Sequence, residues 1–267
     1  MTSAADNFLK SAELYDAIYH FKNYQRESEL LHAVIERVVP GARSLLDVAC
    51  GTGEHAKFLQ RYYDVDGVDL NNSYIEAARI KNPSGKYVCA DMTDFELGTS
   101  YDVVTCLFSA IGYVKTVECA ERAIASMARH VRPGGSLIVE PWLVPARWRP
   151  GAVSINTGET KAGLVCRMAL SRREGNLSVI SLHYLHGAAH GVRYYTEQLE
   201  LGLFTEDQMA QCFRRAGMRV TYEPEGLIGR DYISDSFLRK APSKDAVRSL
   251  SFGRNRWTQR GRIDFRQ

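Results

Sequence analysis

The apolar positions of the chain change period three times. Over the first 40 residues, Leu30, Leu31, Val34, Ile35 and Val38 recur at helical spacing, and Pro40-Gly41 closes that helix. Short apolar runs then alternate with helical stretches. Ser44–Ala49 predicts a buried strand, Glu54–Tyr62 a helix, Val65–Leu70 a second strand, and Ser73–Ile80 a helix with Ser73 as N-cap. Lys86–Ala90 and Tyr101–Phe108 predict two further strands. Val117–Val131 predicts a helix stopped by Arg132-Pro133-Gly134-Gly135, and Ser136–Glu140 a fifth strand.

After Glu140 the period falls to two. Residues 151–203 alternate apolar and polar, with turn signals at Thr157-Gly158, Glu174-Gly175-Asn176 and Gly187–Gly191, which predicts an antiparallel meander. A helix over Thr205–Ala216 and strands over Arg219–Glu223 and Tyr232–Phe237 return to the first pattern. The expected fold is α/β: a doubly wound, mainly parallel, seven-stranded Rossmann-like sheet with an inserted antiparallel β meander. The expected organisation is a helical lid (1–40), a ligand-binding core (41–142 and 204–238), the insertion (143–203) and a basic tail (239–267).

Composition changes this picture little. With 267 residues, 45% of them apolar, the chain is long enough for one full α/β domain with an insertion. No apolar run approaches the roughly 20 residues that span a membrane, and the polar start lacks the layout of a signal peptide, so a cytoplasmic location is expected. None of the six cysteines forms a CxxC pair, and no Cys/His cluster has zinc spacing, so no metal is expected. Charge is uneven. Residues 239–267 hold nine basic and two acidic side chains, a tail of +7 on a chain of net +3, which leaves −4 on the body. Such a tail fits a solvated segment better than a nucleic-acid contact.

The sharpest local feature is Leu45-Leu46-Asp47-Val48-Ala49-Cys50-Gly51-Thr52-Gly53-Glu54, a strand that enters a glycine turn and then a helix. Gly51 and Gly53 let the backbone approach a ligand, and the free N–H groups at the helix start suit a carboxylate. Asp69 ends the second strand, 22 residues after Asp47, where an acid accepts from ribose hydroxyls. Asp91 follows the third strand beside Met92. That pair suits an adenine ring, with the carboxylate accepting from the amino group and the thioether against the face.

Asp-x-Ala-Cys-Gly-Thr-Gly, then Val68-Asp69-Leu70, then Ala90-Asp91-Met92, resembles motifs I, II and III of class I S-adenosylmethionine-dependent methyltransferases, with Ala49 where the first glycine usually stands. A narrower resemblance covers most of residues 10–238. Ala12–Asp16, Leu45–Gly53, Thr105–Gly112, Ala128–Gly135 and Val139–Trp142 are similar to the N,N-dimethyltransferases that finish TDP-linked 3-amino sugars in macrolide pathways, of the desosamine and mycaminose type. Where that pattern has His after the Ser-x-Ile-Gly run, this chain has Tyr113. The resemblance implies S-adenosylmethionine held by Tyr15, Tyr24, Asp47, Ala49, Gly51, Gly53, Asp69, Leu70, Asp91, Met92 and Leu107. It implies an acceptor, a nucleotide-linked amino sugar, beside Phe108, Ser109 and Trp142.

An amine must be neutral to attack a sulfonium methyl, so a base or a water path is needed, and Tyr113, Glu140 and His183 are candidates. Tyr15, Tyr19 and Tyr24 are candidates for an aromatic cover over the sulfonium, with Tyr15 counted among the catalytic set. Arg230 is a candidate clamp for a diphosphate. The insertion brings His183, Tyr184, His186, Tyr194 and Tyr195 as pocket candidates, or serves as a homodimer interface. Methyl transfer to another small nucleophile (O or C), or to RNA, is the alternative. No Asn/Asp-Pro-Pro-Tyr follows the fourth strand, which speaks against common nucleic-acid amino-methylating types.

Overall fold

Strand β1 (Ser44–Val48) is buried at its last four positions, as a strand covered on both faces must be. It pairs in parallel with β2 (Asp64–Asp69) and β4 (Tyr101–Cys106), and β3 (Tyr87–Cys89) and β5 (Val131–Val139) extend the sheet. With β10 (Thr221–Glu223) and β11 (Ser236–Lys240) the order is β10-β11-β5-β4-β1-β2-β3. β11 runs antiparallel to both neighbours. The computed structural model describes residues 14–142 and 144–223, with the backbone of 236–240.

Neighbouring strand residues face opposite sides, and this alternation splits the core. Leu45, Val103 and Ile138 pack under helices α1 (Tyr24–Val38), α2 (Glu54–Leu59) and α3 (Asn72–Lys81). Leu46, Val104 and Leu137 pack under α4 (Val117–Arg129) and α5 (Glu206–Arg215). Strand order reverses between β1 and β4, and ligands of such sheets bind beyond the carboxyl ends at that point.

Strands β6 (Val153–Thr160), β7 (Gly163–Glu174), β8 (Leu177–Ala188) and β9 (Gly191–Gly202) form a separate antiparallel sheet in sequence order. Its inner face buries Val165, Ala169, Leu182 and Tyr184 against Leu14 and Ile18 of the helical segment 14–18. The fold class is the one expected, with local corrections. Gly158 lies inside β6, not in a turn, and a Cβ there would overlap the Ala17 carbonyl. The cap of α3 is Asn71, whose side chain accepts from the Ser73 N–H. The Arg132–Gly135 run is the bulged start of β5: Tyr101 pairs with Val131, and Val103 with Ser136. Arg239 and Lys240, counted with the basic tail, belong to β11, opposite Leu137 and Ser136. Residues 232–235 of the expected last strand, Arg230 and residues 241–267 lie outside the described residues.

Candidate active site

The turn after β1 is built from left-handed residues: Ala49 (φ 58°), Gly51 (φ 56°) and Gly53 (φ 77°). Gly53 packs against α3, where a Cβ would crowd Ala78 and Asn82. A Cβ on Gly51 would meet no atom of the described residues within 4 Å, and the turn borders a cavity. The cavity is about 900 Å³ in volume, lined by Asp47, Ala49, Gly51, Asp69, Leu70, Asp91, Met92 and Leu107 on one side. The buried Asn71 Nδ2 on the same wall has no hydrogen-bond partner among the described residues. An adenosyl amino acid fits this donor and acceptor set: N–H groups at the turn, and acids at successive strand ends.

The three acids are held differently. Asp69 accepts from the Gly51 N–H at 2.9 Å and the Asn71 N–H at 2.8 Å, leaving lone pairs toward the cavity. Burial raises its carboxyl despite those bonds. Asp47, 2% exposed, accepts from Thr105 Oγ1 at 2.8 Å, and burial pushes it up to about 6. Asp91 is exposed at the cavity rim and closes a local turn by accepting from Thr93 at 2.8 Å through Oδ1.

Residues 14–23 cross over the glycine turn. The Tyr15 ring lies 4.6 Å from that of Tyr19 and 5.3 Å from that of Tyr74. Tyr24 packs on His55 at 4.9 Å. Asp16 fastens the segment: it accepts from Thr52 Oγ1 at 2.7 Å and pairs with Lys81 at 2.6 Å, and Lys81 also pairs with Glu54. Burial raises the Tyr15 and Tyr24 phenols, so both stay protonated at neutral pH.

Beyond β4, Phe108 (φ 51°) and Ser109 (φ 59°) form a second left-handed turn. Such backbone costs L-residues about 1–2 kcal/mol each. Glu140 Oε2 accepts the Phe108 N–H at 2.6 Å, and Ser109 Oγ donates to the Pro141 carbonyl at 3.1 Å. Glu140 is therefore a buried brace behind the turn and not part of the cavity lining, which removes it from the base candidates. Tyr113 does line the cavity and is 36% exposed to it, but desolvation by the cavity walls raises its phenol, with Tyr19 and Asp69 adding to the shift, so it offers a proton and takes none. Trp142 lines the same wall, with Nε1 buried and without a partner among the described residues.

The meander supplies the far wall: Arg167, Ile180, Leu182, Tyr184, Glu197, Leu199 and Leu201. His183 sits on β8 between Leu182 and Tyr184, so it points to the other face. It is exposed, with Nδ1 2.8 Å from the Tyr194 hydroxyl, and is no base for this cavity. His186 and Tyr194 are also outside the lining, and Tyr195 stacks on Tyr184 at 4.8 Å. Arg167, Glu197 and Asn71 were missed from sequence. Arg167 donates to Tyr19 Oη and to Asn156 Oδ1, both at 3.0 Å, and so joins the meander to residues 14–23.

Residues 45–135 match the family model described as a methyltransferase domain. The chain is 39% identical to the dTDP-3-amino-3,6-dideoxy-alpha-D-glucopyranose N,N-dimethyltransferase of Streptomyces fradiae, over 85% of this chain and 90% of that protein. It is 35% identical to the dTDP-3-amino-3,4,6-trideoxy-alpha-D-glucopyranose N,N-dimethyltransferase of Streptomyces venezuelae, over 82% and 94%. Among solved structures, the sugar N-methyltransferase KedS8 from a Streptoalloteichus species aligns with a TM-score of 0.79 at 32% identity, covering 91% of this chain and 94% of that one. S-adenosylmethionine-bound CalS10, an amino pentose methyltransferase from Micromonospora echinaspora, aligns at 0.75 and 28%, covering 91% and 98%. The chain belongs to the S-adenosylmethionine-dependent sugar N,N-dimethyltransferase family, carried on the class I methyltransferase fold.

Proposed function

We propose that this enzyme transfers methyl groups from S-adenosylmethionine to the amine of a thymidine-diphosphate-linked amino sugar and gives the dimethylamine. One observation carries the reading: a single cavity of about 900 Å³ runs from the Asp69 wall to the Arg167–Tyr184–Glu197 wall. That is the upper end of small-molecule sites, with room for the cofactor and the sugar end of an acceptor. The curated relatives act on such sugars.

When bound, S-adenosylmethionine supplies an electrophilic methyl group on a sulfonium. Asp69 accepts from the ribose hydroxyls, Asp91 and Met92 take the adenine, and the turn N–H groups take the carboxylate. Tyr15 and Tyr24 cover this wall with aromatic faces that favour a cation. Phe108, Ser109 and Trp142 set the position of the acceptor. Tyr15, Tyr113 and Tyr184, whose phenols are all raised, take no proton at neutral pH, so the protein contributes placement and exclusion of water more than base catalysis.

The test is an acceptor screen by mass shift with a TDP-3-amino-3,6-dideoxyglucose, its 4-amino isomer and a free hexosamine. The reading expects kcat/KM at least a hundredfold higher for a nucleotide-linked amine than for the free one. Equal rates on both would end the nucleotide-sugar assignment.

Two finer points belong to the same reading. The outer face of the meander is apolar, with Val153 64% exposed and opposite Leu170, Ile155 60% exposed and opposite Met168, and Leu185 opposite Tyr194. A second copy of the chain is the occupant assigned to it, because an exposed apolar sheet face can bury itself against the same face of a second copy about a two-fold axis. Ile155→Lys is expected to give a monomer by sedimentation, and an unchanged oligomeric state would refute the interface. The site of action is assigned to the cytoplasm, where six unpaired cysteines persist. No helix among the described residues is long and apolar enough to cross a membrane.

A further inference from the structure

We infer that Lys22 is a positioning residue for the acceptor: its ammonium, held by Glu27, fixes the Phe108 ring on the cavity wall. This rests on the amino-sugar reading above, in which Phe108 sets the position of the acceptor, and deepens it.

Phe108 has a left-handed backbone (φ 51°), lines the cavity and is 38% exposed. Glu140 accepts its N–H from behind, which fixes the backbone and leaves the ring free to choose among staggered rotamers. Two contacts from residues 14–23 make that choice. The Tyr19 ring meets the Phe108 ring edge-on, with centroids 5.3 Å apart. Lys22 Nζ stands over the Phe108 ring, 3.6 Å from its centroid. A cation over an aromatic face is attracted by the ring quadrupole, and more strongly where water is excluded.

The lysine is itself held. Its side chain is 7% exposed and lies outside the cavity lining, so it reaches the cavity through Phe108. Burying an ammonium is costly unless a charge answers it. Glu27 Oε2, on α1, answers it at 2.9 Å, and the same oxygen lies 2.9 Å from Nε2 of His55 on α2. The Tyr24 ring is the more distant aromatic neighbour of the ammonium, at 5.1 Å. His55, Glu27, Lys22 and Phe108 thus form one chain of contacts. It runs from the helix after the glycine turn to the left-handed turn after β4. An uncharged side chain of the same length at 22 would fill the space and lose the attraction for the ring.

The test is a double-mutant cycle read by equilibrium binding of TDP-3-amino-3,6-dideoxyglucose to enzyme loaded with S-adenosylhomocysteine, which prevents turnover. Lys22→Met keeps the length of the side chain and removes its charge. It is expected to weaken sugar binding at least fivefold in the wild-type background and less than twofold in a Phe108→Leu background, where no ring is left to hold. Lys22→Arg, which keeps a cation, is expected to stay within threefold of wild type. Losses of equal size in both backgrounds, or no loss in the wild-type background, overturn the inference. So does a Lys22→Arg variant that binds as weakly as Lys22→Met. S-adenosylhomocysteine affinity within twofold of wild type checks that each variant is folded. If Lys22→Met fails that check, Lys22→Gln takes its place under the same criteria. If wild type binds S-adenosylhomocysteine but neither binds nor methylates the sugar, the amino-sugar reading has failed and this inference falls with it. If wild type methylates the sugar and Lys22→Met binds it as wild type does, only the role of Lys22 has failed.

Discussion

The Glu140 carboxylate accepts the Phe108 N–H at 2.6 Å, and through that bond the end of β5 holds the left-handed turn that follows β4. The bond makes Glu140 a positioning residue. Gln at 140 keeps an acceptor in place, whereas Ala leaves a buried N–H unpaired beside two strained residues. Glu140→Gln is expected to keep kcat within about tenfold of wild type. Glu140→Ala is expected to lose about 1.5–3 kcal/mol of stability, the scale of a hydrogen bond to a charged group. Urea melts and steady-state kinetics on both variants check this. A collapse of kcat in a folded Glu140→Gln would restore the residue as a base.

Asp69 accepts from the Gly51 and Asn71 N–H groups, so as the proposed ribose acceptor it would couple cofactor binding to the shape of the turn. Asn at 69 keeps one acceptor and removes the charge, so S-adenosylhomocysteine affinity is expected to fall by about 1.5–3 kcal/mol. Titration calorimetry reads this directly. Unchanged affinity in folded Asp69→Asn would remove Asp69 from the ribose site.

Asp47 gives the chain a pH dependence of known sign. Its carboxyl is raised from 3.8 to about 6 in the folded state, chiefly by burial. The folded chain therefore binds more protons than the unfolded chain between those values. The stabilisation from this group is full below about pH 4, declines through the window, and is gone above pH 6. The size is on the order of 2–3 kcal/mol. Asp47→Asn is expected to flatten the curve between pH 4 and 6.5, measured by denaturant unfolding without cofactor. A wild-type excess of pH dependence with the opposite slope would contradict the burial argument.

Asp16, Lys81, Glu54 and Thr52 fasten residues 14–23 over the glycine turn. The Asp16 side chain is 46% exposed, so its pair with Lys81 adds little to global stability, under about 1 kcal/mol. Its effect is local. Lys81→Met is expected to leave the melting midpoint nearly unchanged and to raise the amide exchange of residues 14–23 several-fold in the free enzyme. Exchange that stays at wild-type rates would show that the Tyr15–Tyr74 and Tyr19–Phe108 ring contacts suffice.

The parts of this site that were legible in the sequence share a cause. Asp47, Asp69 and Asp91 sit at or just beyond strand ends, and an apolar run followed by a turn marks a strand end without knowledge of partners. The meander wall of the cavity lies inside strands, where the facing side depends on register, and a slip of one residue exchanges the faces. His183 and Tyr184 are neighbours. The imidazole looked like the chemical group, yet the register Tyr184↔Tyr195 turns the phenol inward and the imidazole outward. Arg167 and Glu197 are charges in an alternating run, and only the packing of Leu14 and Ile18 against that sheet, distant in sequence, marks their face as covered. Gly158 reads as a turn residue because its contact, Ala17, is distant in sequence.

The central claim, dimethylation of a nucleotide-linked sugar amine, is tested most directly by a mass-spectrometric time course with S-adenosylmethionine and TDP-3-amino-3,6-dideoxyglucose. A monomethylated sugar is expected to rise and fall before a dimethylated end product, with two equivalents of S-adenosylhomocysteine formed per sugar. Formation of S-adenosylhomocysteine with the methyl group on a hydroxyl oxygen, or no methylation of this sugar and of its 4-amino isomer by folded, cofactor-binding enzyme, would contradict it.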